Sequence, residues 1–165
     1  MEKSAKLLTT ALALWLSVTS SANSAGLYEE QMKASRTNHA AAKTTGAKLS
    51  ALQAKARADA LLGFKYEHGL GVPQSFEIAA DLYLRAAEQG DPTGQYFLGL
   101  LYGKGLGVWQ DGILAYKWLN LAAARAPARY REQYLRIRDA AASKLTQDQI
   151  YMGQELATQW VPKPQ

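Results

Sequence analysis

Apolar and polar positions change rhythm along this chain. A continuous apolar run, Leu7–Val18, comes first, and the stretch from Leu27 to Arg57 then carries only Leu27, Tyr28, Met32, Leu49 and Leu52 as large apolar residues. Leu49, Leu52 and Ala56 have helical spacing, which predicts a helix over about 46–62. Beyond Ala60 the apolar positions step by three and four. Segments at about 75–88 and 111–124 place Ile78/Ala79, Leu82/Tyr83 and Ala86, and Leu114/Ala115, Trp118/Leu119 and Ala122, on one face each as predicted core. Tyr130, Tyr134, Ile137, Ala141 and Leu145 predict a helix over 128–144, with Arg129, Arg131, Arg136 and Arg138 off the buried stripe. Thr146 and Gln149 form a capping-box pattern that opens a last helix, with Ile150, Gly153, Leu156, Ala157 and Trp160 facing inward and Pro162 and Pro164 ending it. Every element is helical, so the expected class is all-α.

The pattern also repeats. ALLGFKYEHGLGVPQSFEIAADLYLRAAEQG, from Ala60, is followed 36 residues on by YFLGLLYGKGLGVWQDGILAYKWLNLAAARA, from Tyr96. Gly63 recurs as Gly99, Tyr66 as Tyr102, Gly69 and Gly71 as Gly105 and Gly107, Gln74 as Gln110, Ala79 as Ala115, and Ala86 as Ala122. A period in the thirties with two helices per unit is the signature of an α-solenoid, in which a helix pair is too thin to bury its own apolar face and stacks on the next. The Gly-x-Gly pairs supply positive-φ positions for a short turn after Tyr66-Glu67-His68 and Tyr102-Gly103-Lys104, and Ser75 and Asp111 are predicted N-caps. Gly63 and Gly99 fall inside helices, where glycine costs about 1 kcal/mol relative to Ala. The expected compensation is close contact with the small stripes Ala79/Ala86 and Ala115/Ala122. One period upstream, residues 40–52 are predicted as a worn half-repeat that caps the N-terminal end.

The run LG-x-x-Y-x-x-G-x-G-V-x-Q followed by A-x-x-(L/W)-(Y/L)-x-x-AA resembles the Sel1-like repeat, a relative of the tetratricopeptide repeat. The resemblance implies an α/α solenoid of two Sel1-like helix-turn-helix repeats with degenerate capping helices at both ends. It divides the chain into 1–25, 26–55 (a polar segment and capping helix), 56–127 (the two repeats) and 128–165 (C-terminal capping helices and tail). It also implies a non-catalytic interaction module that holds a protein or peptide in the groove of its first helices. Cysteine-rich relatives are associated with β-lactam binding or hydrolysis, which gives an enzymatic alternative; the cysteines that pair helices in that branch are absent here.

Residues 1–25 have the three-part layout of a secretory leader: Lys3 and Lys6, the apolar run, then small polar residues from Thr19 to Ala25. An apolar run of about 12 residues is short of the roughly 20 needed to span a bilayer as a helix. The expectation is therefore cleavage between 22 and 26, a periplasmic or secreted protein, and no stable membrane insertion afterwards. The formal net charge of +5 becomes +4 without this segment, since Glu2, Lys3 and Lys6 together carry +1. That mild excess does not specify nucleic acid, and none is expected as a partner. Zero cysteines exclude disulfides, a thiolate zinc site and a cysteine nucleophile.

No catalytic constellation, metal site or cofactor motif stands out. His39 and His68 are 29 residues apart, and the Gly-x-Gly pairs end helices instead of opening them after a strand. Lys65, Glu67, Tyr96, Lys104 and Trp109 lie at or near the first helices and outside the repeated framework, which makes them the candidate partner-binding residues. Trp109 stands where the first copy has Pro73, so the repeat does not fix it. The arginines from Arg125 to Arg138 form the densest basic patch, and an anionic cell-wall polymer is the partner they would suit. Oligomeric state is left open.

Overall fold

Between Leu27 and His68 the sequence has no proline and only two glycines, Gly46 and Gly63, so nothing in it forces a break. The computed structural model, which describes residues 2–163 with side chains described from residue 29, has one uninterrupted helix there, α1 (Glu2–His68). Five shorter helices follow: α2 (Phe76–Glu88), α3 (Pro92–Lys104), α4 (Gly112–Arg125), α5 (Ala128–Ala142) and α6 (Gln147–Thr158). No strand occurs among the described residues, and the all-α solenoid is the observed class.

The chain divides into two units, Met1–Lys48 and Leu49–Gln165. In the first, residues 29–48 are exposed helix. The hydroxyls of Thr37, Thr44 and Thr45 donate back to carbonyls three or four residues earlier in the same helix. The expected half-repeat at 40–52 is continuous helix here with no turn inside it, because it lacks the paired glycines that turn the chain in the true repeats. The expected helix start near 46 is absent for the same reason. The side chains of the expected leader, 1–25, lie outside the described residues.

In the second unit, the end of α1 and α2 form one hairpin, and α3 and α4 form its twin. The two turns are held by the same hydrogen bonds, 36 residues apart. The Leu70 amide donates to the Lys65 carbonyl and Leu106 to Leu101; the Ser75 amide donates to Tyr66 and Asp111 to Tyr102, both at 3.0 Å. Gln74 and Gln110 recur because each side-chain amide donates to a carbonyl at the end of the preceding helix, Glu67 at 2.8 Å and Gly103 at 3.0 Å. Gly69, Gly71, Gly105 and Gly107 all have φ between 66° and 75°. Ser75 and Asp111 cap α2 and α4 through the amides of Ile78 and Leu114.

Glycines set how closely the helices approach. A Cβ on Gly63 would lie 2.8 Å from the Tyr83 ring and 3.3 Å from the Ala79 carbonyl; on Gly99 it would lie 2.8 Å from Leu119 and 3.1 Å from the Ala115 carbonyl. Both glycines thus meet Ala79 or Ala115 as expected, but their second neighbour is a large side chain. Ala86 is instead matched by Gly94 at the start of α3, where an added Cβ would come within 2.6 Å of the Ala86 methyl. The predicted core holds at Ala79, Leu82, Tyr83, Ala86, Ala115, Trp118, Leu119 and Ala122, with Leu114 half-buried. Ile78 is a correction: it is 44% exposed, and its neighbour Ala80 is buried in its place. Positions 78 and 80 lie about 200° apart around the helix, so with Ala79, Ala80 and Tyr83 turned inward Ile78 is left toward solvent.

The C-terminal helices close the other end. Only Tyr134 of the predicted α5 stripe is fully buried; Ile137, Ala141 and Leu145 are half-buried, and Tyr130 is exposed, because among the described residues α5 packs mainly on α4 and its outer face is left uncovered. In α6, Gly153 and Ala157 are buried, Ile150 and Trp160 are half-buried and Leu156 is exposed. The capping box is formed in both directions between Thr146 and Gln149. Past α6 the tail is tied down: the Lys163 amide donates to the Glu88 carbonyl at 2.7 Å, and the Lys163 ammonium pairs with the Glu88 carboxylate at 3.2 Å.

These contacts predict opposite outcomes for two glycines on one helix. Gly99→Leu overpacks the α3–α4 contact and destabilises by about 1–3 kcal/mol in urea unfolding. Gly103→Ala, where the nearest atom is the Ala115 methyl at an ordinary 3.7 Å, stabilises by up to about 1 kcal/mol.

Candidate binding groove

Residues four apart on a helix share a face, so Gln53, Arg57 and Leu61 form one row on α1. Thr93 and Phe97 form a second on α3, and Arg129 and Gln133 a third on α5. The three rows are the same row of the repeat: 36 residues separate Arg57 from Thr93 and Thr93 from Arg129, and Leu61, Phe97 and Gln133 follow the same step. Stacking the units brings these rows side by side, and they line two adjoining clefts. One, of about 610 Å³, lies among residues 53–57 of α1, the α2–α3 turn with the start of α3, and the start of α5. The other, of about 270 Å³, continues along the same helices and shares Arg57, Thr93, Arg129 and Tyr130 with the first.

An aromatic stack forms the α3–α5 side. The Tyr96 and Tyr134 rings lie parallel with centroids 4.1 Å apart, and Tyr130 continues the stack at 6.1 Å. The Arg129 guanidinium sits over the Tyr130 ring at 4.7 Å. Gln133 donates to the Tyr96 hydroxyl at 3.5 Å. Burial raises the pKa of Tyr134, so its hydroxyl remains protonated.

Asp91 is the one acid among the described residues that line the clefts, and its carboxylate caps α3 by accepting from the Gly94 amide at 2.7 Å. Burial pushes its pKa up, against the lowering effects of the Gly94 and Thr93 amides and of the Arg57 charge.

The sequence-based candidates are scattered about this groove. Tyr96, expected as a surface residue, is a correction: it is 7% exposed, because the stack against Tyr134 covers it, and it contributes to the groove as a buried wall. The other four do not line it. Lys65 is exposed in the last turn of α1. Glu67 is half-buried and accepts a 2.7 Å hydrogen bond from the Tyr83 hydroxyl, whose pKa burial and the Glu67 charge drive far up. Lys104, with Lys144, flanks a separate, mainly apolar cleft of about 490 Å³ between α3, α4 and α5. Trp109 is 95% exposed in the α3–α4 loop. His68 stacks on Phe64 at 4.1 Å, and His39 is exposed in the first unit.

The arginine patch is dispersed by folding. Arg125 lies over the Trp160 ring at 4.8 Å, Arg131 donates to the Ala126 carbonyl, and Arg138 pairs with Asp139 at 2.7 Å. Of the patch, Arg129 alone lines the groove. Arg57, Thr93 and Gln133 were not among the sequence candidates, and Arg129 and Tyr130 stood there only in the basic patch and the α5 stripe, because positions that recur in place but not in kind leave no repeated identity.

The Sel1 repeat model matches residues 56–91 and 92–126. The chain carries two Sel1 repeats. Their junction falls between Asp91 and Pro92, the N-cap and first residue of α3, so the cap that starts the second Sel1 repeat is also in the wall of the groove. A crystal structure of c5321, a protective antigen present in uropathogenic Escherichia coli strains and displaying an SLR fold, superposes with a TM-score of 0.59 at 30% identity. The match covers 67% of this chain and 23% of that one, so this chain spans under a quarter of its relative's length. No curated protein matches. Sel1 repeats generally mediate protein–protein interactions, and the fold is typically non-catalytic.

The cap gives a prediction with a pH dependence. A raised pKa in the folded state means that Asp91's contribution to stability is fully present below its unfolded pKa and is lost as pH rises through the folded value. Asp91→Ala removes the cap and costs about 0.5–2 kcal/mol. Asp91→Asn keeps a cap without burying a charge, so near neutral pH it is at least as stable as the parent, and its advantage shrinks as the buffer is acidified. Urea unfolding of the three proteins across a pH series measures both effects.

Proposed function

We propose that this protein is a non-catalytic binding module of the bacterial cell envelope, and that it holds a segment of a protein partner in the groove between α1, α3 and α5. The observation that carries this reading is the continuous pair of clefts built by one repeated row of side chains, with Leu61 59% exposed on one wall and Tyr130 39% exposed on the other. Exposed apolar groups beside fixed polar ones are what a partner surface uses for affinity and register. The location is supported by the leader-like pattern of residues 1–25. Among the described residues no helix is long and apolar enough to cross a membrane.

An anionic polymer held by the arginine helix is less well supported, since Arg131 and Arg138 are engaged within the chain. A β-lactam-directed activity draws no support from the histidines, which lie on separate stretches with His68 held against Phe64.

A photo-crosslinking residue placed at Gln133, in the groove, is expected to trap one defined envelope protein in living cells. The same residue at Asp81, exposed on α2, should not trap it. Equal trapping at both positions, or at Asp81 alone, contradicts the groove assignment. Location has its own check: protein recovered from the periplasm or medium should begin after one of residues 22–25, and an intact N-terminus in a cytosolic fraction contradicts export.

A further inference from the structure

We infer that the segment held in this groove is acidic, an extended peptide with carboxylates for Arg57 and Arg129 and an apolar side chain between them; the inference rests on the groove being the binding site. The two arginines occupy the same place in successive units, on the helices flanking α3, and both line both clefts, so one short segment reaches the two. Neither belongs to an ion pair among the described residues, whereas Arg85 and Arg138 do, with Asp59 and Asp139. Arg129 lies exposed over Tyr130, its guanidinium 4.7 Å from the ring centroid.

Asp91 offsets Arg57 only in part: the two charges interact, but they form no ion pair. Asp91 is turned onto the amides of its own helix. The groove therefore presents two guanidinium groups that form no ion pair among the described residues, bidentate by nature toward carboxylates, on either side of the uncharged Thr93. Leu61 and Tyr130, exposed on opposite walls, give an intervening apolar residue somewhere to lie.

Three fluorescein-labelled nonapeptides with the same alternating leucines, carrying glutamate, glutamine or lysine between them, test this by anisotropy against the purified protein. The glutamate peptide is expected to bind about tenfold more tightly than the glutamine one, and more weakly as salt rises. Arg57→Gln/Arg129→Gln should lose that tenfold preference. Lys65→Gln/Lys104→Gln, which removes the same charge outside the groove, should keep it. Both arginines are exposed, so a thermal melt matching the parent's is expected of the arginine variant; single substitutions, each with part of the loss, serve if it melts early. Equal binding of the glutamine or lysine peptide overturns the acidic preference while leaving the groove as a peptide site. Equal losses in the lysine and arginine variants overturn it in favour of general attraction to a basic protein. No binding of any peptide up to about 1 mM overturns both the inference and the groove reading.

Discussion

Helices in the second unit touch through glycine. At Gly63 against Tyr83 and the Ala79 carbonyl, at Gly99 against Leu119 and the Ala115 carbonyl, and at Gly94 against Ala86, there is no room for even one more carbon. Gly153 against Tyr116 extends the device to α6. Helices brought this close gain dispersion contacts along their backbones, which offsets the helical cost of glycine. Spacing within each hairpin and between hairpins is fixed by these contacts, and everything on the surface inherits its position from them.

The groove is such an inheritance. With spacing and turn geometry the same in each unit, residues 36 apart come to equivalent places on neighbouring helices. Arg57, Thr93 and Arg129 are brought into one row by that regularity, without any direct bond among them. The paired hydrogen bonds of the two turns, Gln74 to Glu67 and Gln110 to Gly103, keep the hairpins alike enough for the row to stay in register. The tyrosine stack from Tyr96 through Tyr134 to Tyr130 then fastens α5 to α3 and makes one wall rigid.

Burial at the ends follows from how many neighbours each helix has. Most of the apolar stripe on α2 and α4 is fully covered, since helices pack on more than one side; the stripes on α5 and α6 are only partly covered, since each packs mainly on α4. Periodicity specifies which face turns inward, but how deeply it sinks depends on what lies beyond. Tyr130 and Leu156 are exposed for that reason despite correct helical spacing. Ile78 is exposed for another: it lies on the far side of α2 from the buried Ala80.

Local and repeating information was enough for the helices, both glycine turns, their N-caps, the capping box of α6 and most of the core, because each depends on residues within a few positions or on an identity that returns after one period. The helix start expected near 46 and the half-repeat expected at 40–52 do not divide α1, since without paired turn glycines that stretch is ordinary helix-forming sequence. The groove was decided only in three dimensions. Its residues differ in kind from unit to unit, and their nearness comes from stacking. Tyr96 looked like a surface aromatic until a ring 38 positions away was seen to cover it, and the arginines of α5 looked like one patch until the helix turned them to different neighbours.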